Sequence, residues 1–107
     1  MNYLSDIEKR KKADEETISS LLKNGASLDK EYLIDFFFVG REDDLKQVEE
    51  VLSAQGYKKA SEQKEGELLM QQPIKLSLMK EFLITESLES IAKKYCVRFD
   101  GWGTIAN

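Results

Sequence analysis

Apolar residues are few at the start of the chain and recur at helical spacing. Leu4, Ile7, Ile18, Leu21 and Leu22, with Ala13 between them, make a thin stripe interrupted by a run of charges. Ser5-Asp6-Ile7-Glu8 fits a capping box, in which the Ser5 hydroxyl accepts from the Glu8 N–H and Glu8 reaches back. The helix it predicts runs to about Lys23, and Asn24-Gly25 supplies the left-handed residue that stops it. The period then changes. Tyr32 to Val39 is a run of aromatic and branched residues closed by Gly40, which predicts a strand. Alternation sends Tyr32, Ile34, Phe36 and Phe38 to the core and leaves Leu33, Asp35, Phe37 and Val39 on a second face.

A second helix follows, with Leu45, Val48, Val51 and Leu52 on one stripe, Glu42 or Asp43 as its cap and Gly56 at its stop. Tyr57 opens the next extended segment, and Lys64-Glu65-Gly66 is a turn candidate. The strand after it is predicted to span about Leu68 to Met79, with Ile74, Leu76 and Leu78 inward and Lys75, Ser77 and Met79 outward. Pro73, which lacks a donor, marks an edge or a bulge in it. A last helix within Thr85 to Tyr95 carries Leu88, Ile91 and Ala92. A closing strand follows, with Val97 and Phe99 inward and Arg98 on the other side. After the first helix the order is β-α-β-β-α-β, which predicts an α+β, ferredoxin-like sandwich with a four-stranded antiparallel sheet. Residues 1–27 form the N-terminal helix and linker, and 28–107 the sandwich. First and last strands then lie side by side, and Asp35 and Arg98 are expected to pair across the outer face.

Composition narrows the chemistry. The 107 residues suit one domain, and no apolar stretch approaches the length that crosses a bilayer. No basic region leads into an apolar core at the N-terminus, so no secretory signal is expected. Histidine is absent, which removes His-based nucleophile systems and His-ligated zinc. The lone Cys96 has no internal disulfide partner and suits a reducing compartment. Asp43-Asp44, Glu49-Glu50 and Glu15-Glu16 are adjacent pairs, and neighbours on a helix diverge by about 100°, so they do not converge as a catalytic dyad must. No cofactor and no metal are expected. The net charge of −4 argues against a phosphate-binding surface, and the basic run Lys9-Arg10-Lys11-Lys12 meets Asp14-Glu15-Glu16 at helical spacing. That reads as a solvated helix face.

The most unusual stretch is Asp100-Gly101-Trp102-Gly103-Thr104. An indole between two glycines has two readings: a bulge that lets Trp102 cover the core while Asp100 ties down backbone donors, or an exposed aromatic anchor for a partner.

The segment from Leu88 through Ser90-Ile91-Ala92-Lys93-Lys94-Tyr95 to Phe99-Asp100-Gly101-Trp102-Gly103 resembles the ending of the family of the regulator of ribonuclease activity B. Leu21-Leu22-Lys23-Asn24-Gly25, Tyr32-Leu33-Ile34-Asp35-Phe36, Asp43-Asp44-Leu45 and Gly56-Tyr57 extend the resemblance along the chain. The family frequently carries a glycine where this chain has Cys96. The resemblance implies a ferredoxin-like fold and a cytoplasmic bacterial protein without catalytic activity. Such a protein binds the endoribonuclease ribonuclease E and inhibits it, modulating RNA turnover.

Together these readings predict a protein-binding regulator that is not an enzyme. Its partner-binding residues are expected among Asp100, Gly101, Trp102, Gly103, Phe37, Asp35 and Arg98. A generic interaction module or a homodimer built on the outer sheet face is the alternative, and the N-terminal helix could cover that face in cis. Direct binding of single-stranded RNA is disfavoured, because the third strand offers Lys75, Ser77 and Met79 and no aromatic partner for Phe37.

Overall fold

A computed structural model describes residues 3–61 and 63–104, with side chains from residue 8 onward. The elements run α1 (Tyr3–Lys23), β1 (Glu31–Val39), α2 (Glu42–Ala54), β2 (Lys58–Lys59), β3 (Glu67–Lys75), α3 (Leu76–Met79), α4 (Leu83–Lys94) and β4 (Arg98–Gly103). The sheet order is β2-β3-β1-β4, with β1 antiparallel to both β3 and β4. This is the predicted ferredoxin-like arrangement, preceded by a helix. Since α1 reaches back to Tyr3, it does not start from Ser5; the Ser5 side chain of the expected capping box lies outside the described residues.

Alternation on β1 is as read. Ile34, Phe36 and Phe38 are fully buried, and the helices pack over them through Leu45, Val48 and Leu52 of α2 and Leu88 and Ala92 of α4. Phe36 meets Tyr57 edge-on with centroids 5.5 Å apart, and Phe38 lies 5.2 Å from Phe99. Ile18 joins α1 to the same core.

Several expectations change. Neither Glu42 nor Asp43 caps α2: the helix starts at Glu42, so Arg41 is its N-cap residue and, having no acceptor, makes no side-chain cap bond, while the Glu42 carboxylate accepts from the Gly66 N–H at 2.6 Å. β2 is two residues long. Past it, the Gln63 amide does a strand's work, accepting from the Leu69 N–H (2.9 Å) and donating to the Leu69 carbonyl (3.0 Å). Pro73 lies beyond the reach of β2, which pairs only with Met70 and Gln71, so its missing donor leaves no gap in that edge.

The strand predicted to reach Met79 ends at Lys75. Lys75 is paired with Glu31, the first residue of β1, and no further partner remains on that strand. The next N–H groups, of Leu76 and Ser77, donate to Lys30 and Leu28 instead, and the chain coils into α3. Met79 is therefore buried rather than outward, and Leu78 is exposed rather than inward.

Three helices end on the same device. After α1, α2 and α4, the N–H groups of Ala26, Tyr57 and Val97 donate to the carbonyls of Leu21, Leu52 and Ala92, five residues back, which is the Schellman pattern. The left-handed residue is Gly25 in the first and Gly56 in the second. In the third it is Cys96, with φ of 61°.

Candidate partner-binding face

The glycine-flanked tryptophan owes its placement to a bulge. Phe37 pairs with Gly101 while Phe38 pairs with Phe99, so Asp100 and Gly101 together oppose one residue of β1. Strict alternation would put Phe99 and Trp102 on opposite faces; the extra residue turns both inward. Gly101 takes φ of 115°, which L side chains rarely adopt, and a Cβ there would meet only the Arg10 guanidinium at an ordinary 3.8 Å. The backbone angle is what calls for glycine.

Trp102 is 7% exposed. Its Nε1–H donates to Oδ1 of Asp14 at 2.9 Å, and the Thr85 hydroxyl donates to Oδ2. Arg10 reaches the same carboxylate through Nε at 3.2 Å and stands over the Phe99 ring, 5.3 Å from its centroid. Asp14 is only 2% exposed, and these donors offset the cost of burying its charge. This clasp ties α1 to α4 and β4 on the helix-covered side. Two expectations fall with it. Trp102 is not an exposed anchor in this structure, and Arg10 and Asp14 are not part of a solvated face, although Lys11, Lys12, Glu15 and Glu16 are exposed. The signal for Asp14 was its spacing: it lies four residues before Ile18 and seven before Leu21, on the stripe that faces the core.

The other side of the sheet is different. Its β1 row is Leu33, Asp35, Phe37 and Val39, and the β3 residues in register with them are Pro73, Gln71, Leu69 and Glu67. Leu33 is 52% exposed and Phe37 38%. The Phe37–Leu69 end opens into a shallow groove of about 600 Å³ walled by Ser61, Gln63, Lys64 and Glu67. Because α1 packs against α4 and the inward residues of β4, it does not cover this face.

Asp35 and Arg98 both belong to it but do not pair. Asp35 stands opposite Gly103, while Arg98 stands opposite Val39 at the far end. The Asp35 carboxylate accepts from Nε2 of Gln71 at 2.7 Å, and Arg98 faces Asp100 on its own strand at 3.5 Å. The strand direction and register separate the pair that the sequence suggested. Asp100 is exposed and engages Arg98, so the donor-tying role read for it is not seen. Of the seven residues named from sequence, Phe37, Asp35, Arg98 and Asp100 share the outer face, Gly101 and Gly103 shape β4, and Trp102 points the other way. Leu33, Leu69 and Pro73 complete the face.

Among the described residues no group of three or more carboxylate or cysteine side chains is placed to hold a metal ion, and no helix is long and apolar enough to cross a membrane.

The family model described as Regulator of ribonuclease activity B matches residues 11–104 of the chain. The matched span begins one residue after Arg10 and takes in Asp14, Thr85 and the whole of β4. No curated protein matches the chain.

Proposed function

Because the chain belongs to the regulator of ribonuclease activity B family, we propose that it acts by binding an endoribonuclease of the ribonuclease E type and slowing its cleavage of RNA, without catalysis of its own. The family match over 11–104 is the observation that carries this reading. The outer sheet face is the docking surface: it presents Leu33 and Phe37 to solvent between the charges of Asp35, Arg98 and Asp100. Apolar side chains interspersed with charged ones are what non-obligate protein interfaces use. Trp102 contributes by holding β4 in its bulged register, so that Arg98 and Asp100 point outward while Phe99 packs inward.

The acidic chain, with no aromatic partner for Phe37 on β3, favours a protein partner over RNA itself. The test is direct. Purified protein added to the ribonuclease should co-elute with it and slow cleavage of a single-stranded RNA, while leaving the mobility of the RNA alone unchanged. Failure to bind the enzyme at micromolar concentrations would remove the reading; a shift of the RNA without enzyme would replace it with direct RNA binding.

A further inference from the structure

We infer that, in the free protein, the outer sheet face is the interface of a symmetric homodimer. The centre of β1 (31–39) is Asp35 and the centre of β3 (67–75) is Gln71, and these two are register partners. A two-fold axis lying across the strands over this row reverses strand direction between copies. It sets Phe37 over Leu33 of the second copy and Leu69 over Pro73. At the ends of β3 it sets Glu67 over Lys75. Each of these contacts occurs twice, as an isologous interface requires.

The pairing is complementary in character. Apolar residues meet apolar residues near the axis, and an acid meets a base at the rim. Stacked sheets cross at about −30°, which keeps the residues nearest the axis opposed. Phe37 and Leu33, both substantially exposed in the single chain, are the ones that gain most by being covered. Two elements oppose association: the axis brings Asp35 towards Asp35 of the second copy, and it sets Val39 over Glu31.

Size sets the strength. The two nine-residue strands β1 and β3, which the axis lays over their own copies, make a face of roughly 30 Å by 10 Å, so pairing buries on the order of 600 Å² in all. That lies well below the usual range for stable complexes, about 1,200–2,000 Å². The dimer is therefore weak and reversible. If the same face receives the ribonuclease, dimer and complex exclude each other, and self-association limits how much regulator is free to dock.

The experiment uses the protein alone, so its outcome is separate from any ribonuclease assay. Sedimentation velocity across a concentration series should show the mass rising from one chain to two. Glu67→Lys or Lys75→Glu alone should shift the midpoint at least several-fold towards monomer, and Glu67→Lys/Lys75→Glu together should restore dimerisation. Asp35→Asn should tighten it. An unchanged tryptophan emission spectrum confirms that each variant is folded. A single-chain mass at every concentration would overturn the inference, as would a dimer indifferent to the two charge reversals or a double reversal that fails to recover.

Discussion

On β1, the residues facing the two sides of the sheet are similar in kind but differ in what they meet. Ile34, Phe36 and Phe38 lie under α2 and α4 with no solvent contact, whereas Leu33 and Phe37, one residue away on the same strand, remain substantially exposed. The inner side is closed by a polar device as well as by apolar packing: Asp14 gathers Trp102, Thr85 and Arg10 and fastens α1 over the end of the core. The outer side has no counterpart to that clasp. Burial on one side supplies stability, and exposure on the other leaves apolar area whose covering stabilises an encounter. Substitutions on the two sides should therefore separate folding from function.

The largest effect is expected at the clasp. Trp102→Ala removes the indole from the core and leaves Asp14 with one donor fewer; it should cost about 4 kcal/mol in denaturant unfolding. Trp102→Phe, which keeps a ring but loses the N–H, should cost less than that. Next comes Asp14→Ala, which strands the Trp102 N–H, leaves the Thr85 hydroxyl only the Phe82 carbonyl and frees Arg10, at about 3 kcal/mol. Combined with Trp102→Phe it should cost less than the sum of the two, because both break one bond. Additive losses would show that the clasp is not a unit.

Smaller changes sharpen the picture at the helix ends. Cys96 holds a left-handed conformation that glycine fills after α1 and α2. Cys96→Gly relieves the side-chain clash at some cost in unfolded-chain entropy, so it should raise stability by about 0.5–1 kcal/mol in the same unfolding experiment. The smallest effect concerns alkaline pH. Burial against Phe36 pushes the Tyr57 phenol above its ordinary value of 10.0. Below that pH both folded and unfolded chains keep the proton. Above it the unfolded chain releases the proton first, so stability should fall as pH rises past about 10. Tyr57→Phe should flatten that fall.

How much of this was legible in the sequence follows from the length of each signal. Eight alternating residues from Tyr32 to Val39 showed both faces of β1, and Gly25 and Gly56 marked two helix ends. Leu76, Leu78 and Met79 did not separate strand from helix, since four residues span barely one turn and two pleats; the deciding fact was non-local, that β1 begins at Glu31, which pairs with Lys75, and has no residue left to pair with Leu76. The bulge is announced by Gly101, but its consequence is visible only against β1, where it turns Trp102 inward. Asp14 was hidden by its neighbours. It stands among exposed charges, and its role depends on a donor 88 residues away.

The central claim is that one side of the sheet folds the protein and the other meets the enzyme. Phe37→Asp tests it most directly, because the altered residue lies outside the core and should cost no more than about 1 kcal/mol of stability. Measured against a ribonuclease E-type enzyme that the unaltered protein inhibits, the folded variant should lose inhibition by at least tenfold. Inhibition equal to that of the unaltered chain would contradict the account and move the docking surface elsewhere.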